Sequence, residues 1–365
     1  FGKLNPNQTA IGKYINRVQK AGSAPEMAPM ISALFSMTEL GPLKDAYNHL
    51  SPEIYTSTVT NLILASQAYA DKLFSCDAKS GPNRFISESQ CIWFDAAIGG
   101  YTGDRTDDYF GYQASAANLG AGIQWDLGKN WFASIGIGRT SYQTQFGDLI
   151  SGNLDGFTNQ AGVSIKKVMG ATKVGVAFVG GFGNFQSDRH DVFPFGDTAT
   201  ASQNVSFMAS RLRVSHDLEQ RDWYVRPSLD FGISQVSQAG FRETGADAFN
   251  LVVSGGSTTT SLLAPAIQIG GEIKNGKLLI RPRAAVGYTH YLSDPSPEIS
   301  ARFAGAPGGV SDFQVTGLLD QDYLDLSAGI DLIFHNGVSL KLGYTGQFSA
   351  NSTAHGAELR MAIPF

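Results

Sequence analysis

This chain of 365 residues has few charged residues and no long apolar run, and the second shortage excludes a class of protein. Charged residues make up 16% of the sequence, against about 25% in typical soluble domains. No run of about 18 apolar residues occurs, which excludes a protein that crosses a membrane with helices. A membrane-spanning β-barrel stays possible, because its polar lumen offsets its apolar outer face in any average. The net charge of −5, without a basic face, argues against nucleic acid as a partner.

Cysteine is also scarce, since only Cys76 and Cys91 are present. Their spacing matches no metal-binding motif, and we predict neither a metal nor a cofactor. In an oxidising compartment the two residues would form a disulfide, and in a reducing one they would be two buried thiols.

The start of the chain lacks both a methionine and a signal peptide. A secreted barrel needs such a signal to leave the cytoplasm. We therefore expect this sequence to be a processed or trimmed piece of a longer chain.

From Cys91 onward, apolar and polar residues alternate in segments that are separated by turn residues. A period of two places the two sets on opposite faces of a β-strand. The sequence predicts twelve such strands, at 91–102, 112–127, 131–146, 154–168, 172–193, 198–219, 223–243, 261–275, 278–303, 321–334, 338–350 and 354–365.

The second face of these strands carries so many charged residues that it must be wet. A soluble sandwich would instead direct its apolar face to a core and gather no aromatic residues at its strand ends. Here aromatics such as Trp131, Trp223 and Phe365 lie near strand ends, as in an interfacial girdle. We therefore predict that the polar face lines a lumen, with Arg211, Arg213, Arg226, Asp230, Glu272, Arg281, Arg283, Asp325, Asp331, Lys341, Glu358 and Arg360 directed inward.

The connections between the predicted strands fall into two kinds. Short turns alternate with longer links, which are predicted at 103–111, 147–153, 244–260 and 304–320. An even-stranded barrel with short turns at one end shows this alternation. The predicted fold class is therefore all-β and transmembrane: a twelve-stranded antiparallel outer-membrane β-barrel.

Residues before the strands are predicted to be helical. Asn5 and Pro6 can start a first helix, and Ser51-Pro52-Glu53 is a favourable start for the last one. This last helix is predicted over 52–76, and its many Thr, Ser, Asn and Gln residues make it too polar to face lipid. By itself the pattern fits an ordinary amphipathic helix that packs on a neighbour.

Several segments together resemble one known family. They are Ala301–Gly308, Phe313–Gly317, Gly343–Ser349 with the strand that closes on Phe365, Leu50–Tyr55, and Cys76 with Cys91-Ile92-Trp93. They are similar to the late-barrel segments, the start of the pore helix and the cysteine pair before the first strand in translocator domains of type V autotransporters. The resemblance covers nearly the whole chain and is most specific over 280–365.

The resemblance implies a division into a helical junction at 1–50, a pore-occupying helix with its connection at 51–80, and a barrel at 91–365. It places the last helix in the lumen, with its polar side chains against the inward charges. It also implies that Met361, Ile363 and Phe365 form the signal that the barrel assembly machinery reads. The implied partners are the protein's own passenger, that machinery, periplasmic chaperones and the lipid or lipopolysaccharide of a Gram-negative outer membrane, around a monomeric barrel.

Catalysis is not predicted. Some family members cut their passenger at an Asn-Asn pair, which this sequence lacks. In His190-Asp191 and His216-Asp217, adjacent residues on a strand point to opposite faces and cannot act together. We predict a non-enzymatic translocator that anchors and exports an N-terminal passenger. The alternative is a stand-alone porin or a surface receptor or adhesin whose helices form a plug.

Overall fold

The computed structural model describes residues 3–74, 76, 84–147 and 151–365. Its main element is a closed antiparallel barrel, which confirms the predicted fold class. The first strand pairs with the last, so that Cys91 lies opposite Pro364 and Gly103 opposite Ser352. The barrel strands are β1 Cys91–Gly103, β2 Tyr112–Gly128, β3 Trp131–Phe146, β4 Gly152–Met169, β5 Thr172–Val192, β6 Asp197–His216, β7 Trp223–Gln238, β8 Gly256–Gly271, β9 Leu278–Tyr291, β10 Asp322–Ile333, β11 Ser339–Phe348 and β12 Ser352–Pro364. Two short strands, Leu218–Gln220 and Ile273–Asn275, continue β6 and β8.

The two ends of the barrel differ in their connections. One end, here called the turn end, holds the start of β1, the end of β12 and the predicted short turns. Several residues there have a positive φ that tight turns require, among them Asn130, Gly170 and Gly276. The opposite end, here called the loop end, carries most of the longer links. Two loop-end links, at 193–196 and 349–351, are nevertheless as short as the turns.

Apolar side chains cover the outside of the barrel and polar ones point inward. Leu119, Ile137 and Phe182 are all more than 60% exposed, as expected for a wall without a surrounding protein layer. The described helices include none with the length and apolar character required to span a membrane.

The predicted bounds of two strands were wrong. The segments 223–243 and 278–303 each extend past the barrel, because their distal parts leave it and pair with short strands in the links 244–260 and 304–320. Together they form a second, four-stranded sheet above the loop end, built from Phe241–Arg242, Leu251–Val253, Glu298–Phe303 and Phe313–Thr316. The links 244–260 and 304–320 are therefore structured, and β8 starts five residues before its predicted position.

The helices are α1 Pro6–Ala21, α2 Ala28–Ser36, α3 Leu40–His49 and α4 Thr56–Lys72. Asn5 caps α1 with a reciprocal pair of hydrogen bonds to Gln8, as its position before Pro6 suggests. The ring of Tyr14 packs on Phe303 and Phe313 of the second sheet. We call residues 3–50 together with this sheet the loop-end cap.

The last helix is shorter than the predicted 52–76. Residues Pro52–Tyr55 form a 3₁₀ turn that the Ser51 hydroxyl caps, and α4 itself ends at Lys72. It ends there because the barrel wall takes over its carbonyl groups. The Arg360 guanidinium donates to the Lys72 carbonyl at 2.6 Å, and the Ser164 hydroxyl donates to the Leu73 carbonyl at 2.8 Å.

Candidate functional site: the barrel lumen

Helix α4 lies inside the barrel and off its axis, against β5, β6 and β7. Glycines in the wall make the close approach possible. A Cβ at Gly232 would lie 2.8 Å from Gln67 Oε1, and one at Gly162 would lie 2.6 Å from a Leu73 methyl carbon. A lumenal cavity of about 650 Å³ remains beside α4; its lining includes the wall that continues from β9 through β12 to β1 and inward residues of β6, β7 and β8.

The polar side chains of α4 contact neutral groups rather than the inward charges that the sequence suggested. The Gln67 amide donates to Ser234 Oγ at 2.8 Å, and the Thr60 hydroxyl donates to the Leu318 carbonyl at 3.0 Å. The hydroxyls of Thr56 and Ser57 bond to carbonyls of the preceding turn. Neutral hydrogen bonds satisfy these buried groups without a charge being desolvated.

Charge contacts concentrate at the last turn of α4. The Lys72 ammonium pairs with Asp95 on β1, and Asp71 pairs with Arg213 at 2.5 Å. Arg360, which donates to the Lys72 carbonyl, stacks on the Trp93 ring with its guanidinium carbon 4.3 Å from the ring centre. A cation at this position also favours the negative end of the helix dipole.

The twelve residues assigned to the lumen from the sequence lie on the inward face, and most are paired. Arg211 and Arg213 both bind Asp230, at 2.5 and 2.7 Å. Asp325 accepts from Thr289 and Gln347. The remaining pairs are Arg226 with Asp217, Arg281 with Glu272, Arg283 with Asp331, and Glu358 with Lys72, while Lys341 lies between Asp331 and Arg360 in register.

Glu88, which the sequence analysis missed, is the centre of a buried cluster near the turn end. Its carboxylate binds the ammonium groups of Lys166 and Lys173 at 2.6 and 2.8 Å, and it accepts from Gln124 at 2.8 Å. The Glu88 and Lys166 side chains are fully buried. The alternation of β4 and β5 puts both lysines on the inward face, which is a signal that the sequence did contain. Glu88 itself lies outside any periodic segment.

Residues 84–90, here called the strap, cross the turn end of the barrel. Phe85 packs against Tyr224 with ring centres 4.7 Å apart, and Arg84 pairs with Glu272 at 3.3 Å. Ile86 is buried with Phe132 and Val168 on the neighbouring wall. The strap therefore contacts widely separated strands and closes this end of the lumen.

Cys76 and Cys91 are joined in a disulfide. The bridge links the segment after α4 to the first residue of β1. The Cys76 amide also donates to Glu88 at 3.2 Å, so the disulfide and the Glu88 cluster hold the same region.

The loop end is closed around a different ion pair. Arg189 on β5 and Glu243 are both fully buried and form a two-pronged contact, at 2.9 and 2.6 Å. The Tyr55 hydroxyl donates to Glu243 at 2.5 Å, which fixes the chain just before α4.

Glu53 is a second buried carboxylate at the loop end. It accepts hydrogen bonds from the Asn7 side chain and from the Phe110 amide, both at 2.7 Å. Burial raises the pKa of Glu53 to about 8, although both hydrogen bonds oppose the shift.

The residues of the proposed assembly signal and the side chains of His190 and His216 lie away from the lumen, whereas Asp217 is buried on the inward side and pairs with Arg226. Met361, Ile363 and Phe365 point outward from the end of β12 and are exposed. His190 and His216 bond only to threonine hydroxyls among the contacts that the structure describes.

A family model described as the autotransporter beta-domain matches residues 92–345. The chain belongs to this family. No curated protein sequence matches the chain at a significant level.

Solved structures of autotransporter β-domains share the fold. The translocator domain of NalP from Neisseria meningitidis is 15% identical, with a TM-score of 0.66 over 86% of this chain and 98% of its own. The β-domain of the Bordetella autotransporter BrkA is 15% identical, with a TM-score of 0.57 over 76% of this chain and all of its own. The transport unit of AIDA-I from Escherichia coli is 14% identical, with a TM-score of 0.53 over 84% of this chain and 98% of its own.

Proposed function

We propose that this autotransporter β-domain anchors in the outer membrane of a Gram-negative bacterium and exports an N-terminal passenger to the cell surface. The direction of α4 carries the proposal. The helix enters the lumen at the loop end, near Tyr55, and ends near the turn end at Lys72. The chain ahead of α4 is consequently on the loop-end side, where a passenger would emerge. The turn end, with its short connections, would face the periplasm.

In this proposal the three parts of the chain have separate roles. Residues 1–50 join the passenger to the barrel, residues 51–80 fill and close the pore, and residues 91–365 form the membrane anchor. The lumenal ion pairs hold α4 and the strap in place after export rather than select ions. The outward residues Met361, Ile363 and Phe365 are read by the barrel assembly machinery after periplasmic chaperones deliver the chain, and the barrel works as a monomer without catalytic activity.

A fusion experiment tests export. A signal peptide and an epitope-tagged reporter are placed ahead of residue 3, and protease is added to intact cells. We expect the tag to be digested from outside, and a variant that lacks residues 352–365 to display none because its barrel cannot close. A tag that stays protected beside a correctly assembled full-length barrel would overturn export and favour the stand-alone porin or receptor.

The pore-filling role of the helix has its own measurement. Removal of residues 52–76 should raise single-channel conductance in planar bilayers severalfold, because the helix occupies much of the lumen. Equal conductance with and without the helix would contradict the plug.

A further inference from the structure

Arg139 is out of place on the barrel. On β3 it occupies an odd-numbered position, like the outward residues Ile135 and Ile137. Its side chain therefore points outward, and it is exposed. The other arginines of the described barrel strands occupy inward positions. A cation on the lipid face is costly at the bilayer midplane and nearly neutral near the interface, so it needs either a boundary position or a ligand.

Two contacts position the side chain of Arg139, and several of its N–H groups remain available as hydrogen-bond donors. Its guanidinium carbon lies 4.0 Å from the centre of the Phe157 ring, and one nitrogen donates to Asn159 Oδ1 at 3.4 Å. No ion pair between Arg139 and a carboxylate occurs in the part of the chain that the structure describes. A planar guanidinium with available N–H groups can bind a phosphate through two parallel hydrogen bonds.

Register and strand geometry place Arg139 near the loop-end boundary of the apolar band. It lies eight residues after Trp131 at the turn end, or about 26 Å along the strand at about 3.3 Å per residue. A tilt of about 40° reduces this to about 20 Å of height, within an apolar band about 25 Å tall. Its partners in register are Leu119 and Asn159, and the outward residues above it, Ser141 and Gln143, are polar.

A groove of about 890 Å³ lies on the outer wall beside Arg139. One register row explains its shape, because two aromatic residues border a floor of smaller side chains. The row runs Tyr344, Ala357, Ile98, Ala117, Ser141 and Phe157. Five strand spacings separate the two rings, which is about 24 Å at about 4.8 Å per spacing. This width accommodates several acyl chains side by side.

We propose that this outer-wall groove binds one lipopolysaccharide molecule, with its acyl chains on Ile98, Ala117 and Ala357 and a lipid A phosphate on Arg139. The inference rests on the proposed function, which makes the loop end the outer-leaflet side. A lipid with many acyl chains and a phosphorylated headgroup fits both the width of the floor and the cation at its border. Asp155 lies farther toward the loop end. Its negative charge does not oppose binding, because divalent cations can bridge the phosphate and carboxylate groups.

Lys167 provides a matched control. It also points outward and stacks on an aromatic residue, Trp131, with its ammonium nitrogen 5.0 Å from the ring centre. It lies at the turn end, which would contact the inner leaflet. If lipid A binds in the groove rather than to any outward cation, substitution of Arg139 should weaken binding and substitution of Lys167 should not.

The test uses the full chain folded in detergent, with its folding checked by heat-modifiable gel mobility. Binding of hexa-acylated, bis-phosphorylated lipid A is measured by native mass spectrometry in the presence of Mg²⁺. We expect Arg139→Gln to weaken binding at least tenfold, Arg139→Lys to weaken it less, and Lys167→Gln to leave it unchanged. Ala117→Phe, which fills the floor without altering charge, should also weaken binding.

Four results would overturn the proposal. The first three are equal binding by wild type and Arg139→Gln, equal loss of binding in Lys167→Gln, and equal affinity for phosphatidylglycerol. Binding of inorganic phosphate with the affinity of lipid A would show that the groove contributes nothing, which also overturns it. Because purified protein is used, the result is independent of passenger export. A barrel that exports no reporter but binds lipid A through Arg139 would refute only the proposed function.

Discussion

The two ends of the barrel are closed by different chemistry. At the loop end a folded cap packs apolar residues such as Tyr14, Phe303 and Phe313 together, and a fully buried ion pair, Arg189 with Glu243, lies at the same end. At the turn end a short strap is held by a carboxylate that two ammonium groups share.

This difference predicts different responses to mutation. Many apolar contacts spread the stability of a cap over many residues, so that one substitution removes only part of it. A buried ionic cluster adds little net stability, but the loss of one member leaves desolvated charge behind and is costly. The turn end should therefore be the more sensitive of the two to a single change.

Glu88→Ala should produce the largest effect. It removes the carboxylate that Lys166 and Lys173 share, so the free energy of unfolding should fall by about 3–5 kcal/mol. The strap should also detach, and single-channel conductance should rise. Urea titration in vesicles and planar-bilayer recordings measure the two effects. Glu88→Gln keeps the shape of the side chain, and its stability and conductance should lie between those of the wild type and Glu88→Ala. An unchanged conductance in Glu88→Ala would show that the Glu88 cluster does not close the turn end.

Arg189→Met tests the loop end in the same way. It leaves the Glu243 carboxylate buried without its cationic partner, with the Tyr55 hydroxyl and the Leu251 amide as donors. The free energy of unfolding should therefore fall by about 3 kcal/mol. Conductance should change far less than in Glu88→Ala, because the apolar contacts of the cap remain. Limited proteolysis of residues 3–50 reports the loosening, and Arg189→Lys should restore part of the protection. A conductance increase as large as that of Glu88→Ala would remove the contrast between the ends.

The disulfide should have a smaller effect, confined to the turn end. A bridge that closes a loop of about 15 residues contributes about 3 kcal/mol, mainly by restricting the unfolded chain. Replacement of Cys76 and Cys91 by serine should lower the urea midpoint and raise strap mobility in hydrogen exchange. Reduction of the wild type should reproduce the double variant. If cap protection fell as much as strap protection, the effect would not be local.

The sequence was most informative where the structure is periodic. Strict alternation in β11 and β12 determines which residues face lipid and which face the lumen, since a one-residue slip would reverse every side chain. Arg211, Asp230 and Arg281 could therefore be assigned inward from parity alone. Their partners could not all be assigned, because pairing depends on strand register, which no local pattern encodes.

The cap and the strap were missed for the same physical reason. Glu298–Phe303 alternates like a barrel strand, and only its pairing with Leu251–Val253 shows that it belongs to a second sheet. Glu88 lies in a segment without any period, and its partners are 78 and 85 residues away. The end of α4 at Lys72 was likewise set by Ser164 and Arg360, which are distant in sequence.

The last predicted effect concerns pH and sharpens the contrast, because it should act at the loop end alone. Burial raises the pKa of Glu53 from 4.5 in the unfolded chain to about 8. Its contribution to stability is thus fully present below about pH 4.5 and declines as pH rises to about 8, by at most about 1.4 kcal/mol per unit. Hydrogen exchange of α1, corrected for intrinsic rates, should show weaker protection at pH 9 than at pH 6, while the strap changes less. Glu53→Gln, which cannot ionise, should flatten this dependence; equal pH slopes in the variant and the wild type would exclude Glu53 as the titrating group.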